Sequence, residues 1–159
     1  MKQHEAFSNH KAYYLADGQR VASVTTIIGQ VSLGSVEGLL VWANRLGQQG
    51  LDHRAERDKA ADAGTACHKM AEAFAKGKTF DRSQFNKETL VKADHAFKAF
   101  KEWARASSFK IGHSEVSLVS EKHKYGGTLD CMLINDQLAL GDYKTSNSVR
   151  MGMLIQLAA

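Results

Sequence analysis

Apolar residues in the middle of the chain recur at the spacing of amphipathic helices. The first set follows the pattern i, i+3, i+4, i+7 and consists of Leu39, Trp42, Ala43 and Leu46. This pattern predicts a short helix with Ser35 as its cap. Two longer helices are predicted, over Arg54–Lys76 before Gly77 and over Lys87–Ala106 after a capping Asn86. Their core-facing stripes are Ala63, Cys67, Met70 and Phe74 in the first, and Leu90, Ala93, Phe97, Phe100 and Ala104 in the second.

Other patterns on both sides of these helices predict strands. Near the N-terminus, Asp17-Gly18 is a hairpin signal between Ala12–Ala16 and Gln19–Val24, and a short turn of helix follows at Thr25–Gly29. After Ser108 three strands with short turns are predicted at His113–Ser120, Tyr125–Ile134 and Gln137–Thr145, before helical character returns in Ser146–Ala159. The predicted fold class is therefore α/β (α+β), a sheet containing a three-stranded antiparallel meander with helices packed on it.

Each of the three meander strands carries one notable carboxylate: Glu115, Asp130 and Asp142. In a hairpin, the position numbers of facing residues have a constant sum that the centre of the turn sets. For Asp130 and Asp142 the sum is 272, which a three-residue loop at Asn135-Asp136-Gln137 provides. For Glu115 and Asp130 it is 245, which an even loop provides. Both pairs are therefore expected to face each other on adjacent strands, with Lys144 on the same face as Asp142.

Three acids side by side on one sheet face repel each other unless a cation lies between them. Carboxylate oxygens bind Mg²⁺ at ~2.0–2.1 Å, within reach of facing side chains. The trio together with Lys144 therefore predicts a divalent-metal site. Solvated acids on an exposed face are the alternative, and for any one acid alone this alternative is favoured. The sequence has no GxxxxGK[ST], G-x-S-x-G or H-E-x-x-H motif that would favour another chemistry.

Composition narrows the class of protein. The 159 residues fit one domain, and 43% apolar content without any proline excludes disordered and collagen-like chains. Cys67 and Cys131 are too few for a disulfide framework, a zinc ribbon or an iron–sulfur cluster. No stretch reads as a membrane span or an apolar signal core, so an intracellular, cytoplasmic protein is expected. The net charge of +4 is compatible with a nucleic-acid partner.

Several short motifs carry a resemblance to a known family. They are Gly127-Thr128-Leu129-Asp130, then Gly141-Asp142-Tyr143-Lys144-Thr145-Ser146, then Gln156-Leu157-Ala158-Ala159. In this order they resemble the PD-(D/E)xK nuclease superfamily, and more closely its RecB-type branch of CRISPR-associated, mitochondrial genome maintenance and phage nucleases. Gly64-Thr65-Ala66-Cys67-His68 with Glu72 is similar to that branch's helical Gly-Thr-x-x-His element. Ser23-Val24-Thr25-Thr26-Ile27-Ile28 is similar to an N-terminal segment of its phage and mitochondrial members.

The resemblance implies a restriction-endonuclease-like core with a central mixed sheet. It implies a single nuclease domain over 1–159, with a hairpin and helices in about 1–50 and the catalytic core in about 54–159. The implied Mg²⁺ or Mn²⁺ ligands are His68, Asp130, Asp142, the backbone carbonyl of Tyr143, and Glu115 on the first core strand. The implied catalytic set is Asp130, Asp142, Glu115, Lys144 at the attacking water, and Gln156, which positions the site or the DNA.

The implied activity is metal-dependent hydrolysis of DNA phosphodiester bonds. A single-strand-preferring exonuclease of recombination, repair or phage DNA processing is the first hypothesis, in a bacterial or phage-infected cell. The alternatives are an endonuclease of resolvase or restriction type, and a non-catalytic DNA-binding domain that kept the fold. DNA is expected to be bound through its phosphates without sequence choice, by basic residues such as Arg45, Arg54, Arg57 and Lys69. No iron–sulfur cluster and no membrane partner are expected.

The family continues beyond its Gln motif with a Tyr and further structure, whereas this sequence stops at Ala159. Two alternatives follow from the resemblance: the C-terminal end is incomplete, or the last helix is trimmed.

Overall fold

The fold combines five α-helices with a five-stranded mixed sheet in the computed structural model, which describes residues 11–30, 36–135, 137–146 and 148–159. Within the described residues, the helices are α1 (Val24–Gln30), α2 (Val36–Gln48), α3 (His53–Ala75), α4 (Lys87–Ala106) and α5 (Met151–Ala158). The strands are β1 (Tyr13–Tyr14), β2 (Arg20–Ser23), β3 (Lys110–Ser120), β4 (Tyr125–Ile134) and β5 (Leu138–Gly141). A single 3₁₀ turn, Arg82–Gln84, lies between α3 and α4. The α+β class is confirmed.

Residues at the helix ends fix the two long helices where the sequence places them. Asp52 caps α3 by accepting a hydrogen bond from the Arg54 N–H, and Asn86 caps α4 by accepting one from the Thr89 N–H at 2.8 Å. Gly77, with φ +61°, follows the end of α3 in the left-handed conformation that favours glycine. The predicted bounds of α4 are confirmed, and those of α3 differ by one residue at each end.

The core lies where α3 packs on α4. Small and flexible side chains from the two helices form its buried centre: Ala66, Cys67, Met70 and Ala93. The predicted stripes are confirmed except at Phe74, which is 46% exposed. Its ring stacks edge-on against Phe97 and Phe100, with centroid distances of 6.1 and 5.8 Å. Phe74 is therefore at the rim of the core, because alanines fill the helix contact and leave no room for a large ring there.

Strand β4 is the centre of the sheet. Antiparallel β3 runs along one edge of β4. The other edge is shared, because β2 pairs in parallel with the first residues of β4 and β5 pairs antiparallel with its last ones. The prediction of a mixed sheet with a three-stranded meander is confirmed. β1 extends the sheet beyond β2 through the predicted hairpin, in which Gly18 has φ +85°.

The hairpin register is confirmed on both sides of β4. Val116 pairs with Leu129, which gives the sum of 245, and Cys131 pairs with Gly141, which gives 272. Asp136, at the predicted centre of the second turn, lies outside the described residues, as does Ser35, the expected cap of α2. The predicted register is therefore confirmed by the observed residue pairs of β4 with β3 and β5.

Three boundaries differ from the prediction by three residues or more. β3 begins at Lys110, before the expected His113, because an irregularity between Ile111 and Ser114 interrupts the alternation that marks a strand. β5 ends at Gly141, because the next turn of chain leaves the ladder to bond a side chain of β4. α5 begins at Met151, after a segment in which the Ser146 hydroxyl donates to the Ser148 carbonyl in place of helix formation.

No helix in the described part of the chain is at once long and apolar enough to cross a membrane.

The contact between β4 and β5 gives the first prediction. A Cβ at Gly141 would lie 2.4 Å from Cys131 Sγ, so Gly141→Ala must displace one strand and should lower the free energy of unfolding by about 1–3 kcal/mol. Adding Cys131→Ala removes the obstructing sulfur and should recover much of this loss. Urea unfolding of the two single variants and the double variant measures the coupling between the positions.

Gly47→Ala is the matched control, since a Cβ there meets nothing within 4 Å and α2 gains a better helix former. Additive effects of Gly141→Ala and Cys131→Ala would contradict the close approach of the two strands.

Candidate functional site

The Asp130 carboxylate joins three elements of the fold. It projects from β4, and its side chain is 14% exposed. Its Oδ2 accepts a hydrogen bond from the Tyr143 backbone N–H at 2.6 Å, just beyond the end of β5. Its Oδ1 lies 3.5 Å from Nδ1 of His68 on α3. The sequence motifs that contain His68, Asp130 and Asp142 therefore meet at one point of the tertiary structure.

The segment after β5 turns one side chain inward and brings its neighbours together. The Tyr143 ring packs edge-on against His68 and Phe100, with centroid distances of 5.7 and 5.0 Å. Asp142 and Lys144, on either side of it, form an ion pair in which Nζ lies 2.5 Å from Oδ2. The prediction that these two side chains share one side is confirmed, although the residues lie outside a strand. The packing of the Tyr143 ring, rather than strand alternation, sets the direction of the two flanking side chains.

Asp130, Asp142 and Gln156 line one cleft of about 620 Å³, which we call the carboxylate cleft. Other walls come from β1, the end of β2, the start of α1, and α5, including Tyr13, Ser23, Thr25 and Leu157. The Ser23–Ile28 segment is thus next to the acids, and its first residue is held by hydrogen bonds of Ser23 Oγ to the hydroxyls of Thr25 and Thr26. Gln156 is half-buried and reaches the cleft from α5, so the third motif joins the same site.

Glu115 lies beside this site and lines a neighbouring cavity of about 650 Å³. The pairing of its neighbours Ser114 and Val116 places it opposite Asp130, but its φ of +57° is in the left-handed region, just after the irregularity between Ile111 and Ser114. Loss of hydration raises the pKa of Glu115, and the charges of Asp130 and Glu72 raise it further. Of the three predicted acids, Glu115 therefore lies at the margin of the site, outside the carboxylate cleft.

Burial and charge shift the titration of the central residues in different directions. Burial raises the pKa of Asp130, but the hydrogen bond and charge of His68 and the Tyr143 N–H outweigh it, so the pKa lies below its usual value. Burial raises the pKa of Asp142, and the charge of Asp130 adds to this against the lowering effect of Lys144. The hydrogen bond with Asp130 raises the pKa of His68, although burial opposes it. A pair of nearby acids with opposite shifts is typical of functional sites.

The side chains around Asp130 include donors of the kind that bind a divalent cation, namely two carboxylates and one imidazole. Among the residues described, no three His, Cys, Asp or Glu side chains are grouped so as to hold a metal ion. Mg²⁺ commonly takes one or two carboxylates and completes its shell with water and substrate oxygens. Asp130 and Asp142 supply two carboxylates, and the pKa of Asp142 is raised by burial and, to a smaller extent, by the charge of Asp130. The chemistry of this pair therefore fits Mg²⁺ or Mn²⁺, with His68 adjacent.

The Tyr143 backbone contacts Asp130 through its N–H, while a metal contact of its carbonyl stays a prediction.

The basic residues expected at phosphates are distributed over two helices. Arg45 is on α2, and on α3 Arg57 pairs with Asp58 while Lys69 bonds Gln84. None of these side chains lines the carboxylate cleft.

Two features of the site were missed by the sequence reasoning. Phe100, expected only in the core, packs on Tyr143 and so fixes the Asp142–Lys144 segment. Tyr13 lies over Gly126 and hydrogen-bonds the Thr128 hydroxyl at 2.8 Å, which closes one side of the cleft. Gly126 was the sequence signal for this close approach, because a glycine inside a strand often marks a place where another group comes near the backbone. A Cβ at Gly126 would lie 2.4 Å from the Tyr13 ring.

Comparison of the chain with protein-family models, with curated proteins and with solved structures finds no match.

The His68–Asp130 contact predicts a titration. In protein stripped of metal with a chelator, the pKa of His68 should lie above 6.5. Asp130→Asn should lower this pKa, because the charged hydrogen-bond partner that raises it most is lost while burial and the charge of Lys144 remain. The imidazole nitrogen shifts in a two-dimensional NMR titration measure this. Because the pKa is raised on folding, protonated His68 stabilises the fold below about pH 6.5, and this contribution is lost as the pH rises through the folded pKa.

Asp94→Asn is the control, since Asp94 pairs with Arg82 on the outside of α4 and should leave the His68 titration unchanged. The prediction also requires that the stability advantage of wild type over His68→Gln shrinks as the pH rises. An advantage that grows with pH would contradict it.

Proposed function

We propose that the chain is a divalent-metal-dependent DNA nuclease with a single-strand-preferring exonuclease activity. The carrying observation is that residues from three separate sequence motifs are joined by contacts. His68 lies 3.5 Å from Asp130, the Tyr143 N–H bonds Asp130, and Lys144 pairs with Asp142, while both acids line the carboxylate cleft. The mixed sheet with helices on it is compatible with a restriction-endonuclease-like core of the PD-(D/E)xK type, which we propose as the fold family.

Each side chain has a role that follows from its surroundings. Asp130 and Asp142 are the proposed cation ligands, and His68 orients Asp130 and completes the ligand set. Lys144, 34% exposed and paired with Asp142, is the charged group able to contact the phosphate or the attacking water. Gln156 faces the same cleft and is proposed to position the DNA. Glu115 and the Tyr143 carbonyl are proposed as supplementary ligands.

A bound Mg²⁺ or Mn²⁺ would supply Lewis-acid polarisation of the scissile phosphate and a lowered pKa of a coordinated water. The chain itself contributes the orientation and the fixed charge. The Tyr143 N–H and His68 hold the Asp130 carboxylate, so that its lone pairs are preorganised.

DNA is proposed to be held through its phosphates. Lys11 and Arg20 line the cavity beside Glu115, and that cavity shares Tyr13, Ser23 and Thr128 with the carboxylate cleft. A strand that follows these two cavities passes from basic side chains to the acids. Contacts of this kind are independent of base sequence.

The proposal predicts a separation of cleavage from binding. Asp142→Asn keeps the shape of the side chain but removes an anionic ligand, so cleavage of single-stranded DNA should fall by several orders of magnitude. Lys144→Ala should lower cleavage about 10²–10³-fold, as expected for one preorganised charge, without reducing metal affinity. Both variants should still bind DNA. Gel assays on end-labelled linear and covalently circular single strands measure cleavage, and fluorescence anisotropy measures binding.

The matched controls are Asp58→Asn and Lys101→Ala, which alter exposed or half-exposed residues of α3 and α4 away from the cleft. Loss of the linear strand with survival of the circle indicates an exonuclease, whereas nicked circles indicate an endonuclease. Absence of any metal-dependent cleavage by wild type, with binding retained, would replace the proposal by a non-catalytic DNA-binding domain.

A second prediction concerns the metal alone. Because the pKa of Asp142 is raised on folding, its ionised form destabilises the fold, and stability is lost as the pH rises through the folded pKa. A cation bound by Asp130 and Asp142 removes this repulsion. Mg²⁺ at a free concentration about 100-fold above its dissociation constant should add about 2.7 kcal/mol to the stability of wild type.

Thermal unfolding with and without Mg²⁺ measures this effect at neutral pH. Asp142→Asn should show a much smaller rise in Tm on addition of Mg²⁺, while Asp58→Asn should respond as wild type does. An equal rise in all three proteins would place the cation elsewhere.

A further inference from the structure

The turn between β3 and β4 carries aromatic and basic side chains in alternation: Lys122, His123, Lys124 and Tyr125. The rings of His123 and Tyr125 are nearly parallel, with 25° between their planes and 6.3 Å between their centroids. His123 is exposed and Tyr125 is half-buried, so both retain accessible surface. Aromatic faces with lysines beside them are the elements with which proteins bind single-stranded nucleic acid.

The backbone of this turn is held by Ser120. Its hydroxyl accepts a hydrogen bond from the His123 N–H at 3.1 Å, and its carbonyl accepts one from the Lys124 N–H at 2.8 Å. Lys124 has φ +58°, a left-handed conformation that reverses the chain and starts β4. The two rings are therefore presented by an ordered turn, which lowers the entropy lost when a ligand binds them.

His123 and Tyr125 line the same carboxylate cleft as Asp130 and Asp142. Tyr125 lies five residues before Asp130 along β4, so strand alternation turns the two side chains to opposite faces of the sheet. They line the cleft from either side of the edge of β4 that β2 and β5 leave unpaired. At about 3.3 Å per residue the two positions are roughly 16 Å apart. A stacked strand rises about 3.4 Å per nucleotide, so this length holds at most about five nucleotides, and fewer in an extended strand.

We propose that His123 and Tyr125 form a stacking platform for an unpaired base of the substrate, a few nucleotides from the bond that is cut. Lys122 and Lys124 lie beside the neighbouring phosphates. The inference rests on the proposed nuclease function and deepens it, because it assigns the single-strand preference to particular side chains. A base inside a duplex has both faces covered by its neighbours, whereas an unstacked base offers a face to an aromatic ring. Stacking accepts every base, so the platform selects single strands without reading sequence.

The test uses protein with the Asp142→Asn substitution, so that binding is measured without cleavage. Single-stranded oligonucleotides carry 2-aminopurine at successive positions, because its fluorescence falls when it stacks on a ring. Quenching should be confined to one or two adjacent positions. Tyr125→Leu and His123→Ala should abolish this quenching and weaken single-strand binding about 5- to 150-fold, while duplex binding stays within about twofold. Tyr125→Phe loses the hydroxyl that donates to the Ala159 carbonyl but keeps the ring, so its quenching should match that of the parent.

Tyr14→Ala is the control, because Tyr14 is 56% exposed on β1 and lines neither cavity. Since Tyr125 pairs within the sheet, circular dichroism checks each variant, and His123→Ala on the exposed turn tests the platform even if Tyr125→Leu unfolds. Equal losses of single-strand and duplex binding, or no loss, would overturn the platform. Wild-type protein that binds and quenches as described but cleaves no DNA would overturn the nuclease function and leave the platform standing.

Discussion

The hydrogen bond from the Tyr143 N–H to the Asp130 carboxylate is the contact on which the arrangement of the site depends. It takes the N–H that would otherwise continue the β5 ladder and gives it to a side chain of the central strand. β5 therefore ends at Gly141, and the following residues turn beneath the helices. Since an ionised acceptor makes the stronger kind of hydrogen bond, the same contact also holds one of the two acids in a fixed orientation.

Small residues let the elements approach closely enough for this contact to form. Ala66 and Ala93 are fully buried where α3 crosses α4. Gly126 and Gly141 leave the space that the Tyr13 ring and the Cys131 sulfur occupy. A methyl group at either glycine would push an element away from β4 by more than packed interiors tolerate. The strand that carries Asp130 is therefore covered from several directions, and the cleft opens only where β2 and β5 leave its edge unpaired.

The two acids of the site affect the stability of the fold in opposite directions: folding favours ionised Asp130 and disfavours ionised Asp142. Two half-buried acids lie close together, and the pKa of Asp142 is raised by burial and by its neighbour although Lys144 is paired with it. A structure selected for stability alone would not retain this arrangement, since uncompensated buried charge is costly. A divalent cation compensates it, and this links the stability of the protein to the proposed chemistry. The stacking platform at the other end of the cleft would add affinity for the DNA without adding charge near the acids.

Much of the local structure follows from the sequence. The Asn86 cap, the Asp17-Gly18 turn and the glycine after α3 act on neighbouring residues, so their effects are local and predictable. The register of the meander also follows, because turn length sets which residues face each other. This arithmetic predicted that Asp130 faces Asp142 on one side and Glu115 on the other; the structure confirms the register and ends β5 one residue before Asp142.

Tertiary structure alone decided which of these residues share an environment. His68 is 62 positions from Asp130 in the sequence, and only the packing of α3 on the sheet brings them to 3.5 Å. β5 ends where it does because the Tyr143 N–H bonds a side chain, and Glu115 lies at the margin of the site because its backbone is left-handed. The alternation of apolar and polar residues along a strand reveals neither feature. The roles of Phe100 and Tyr13 at the site arise from contacts between distant elements. The sequence determines contacts that act over a few residues, whereas burial, charge coupling and the shape of the cleft depend on distances that exist only after the chain has folded.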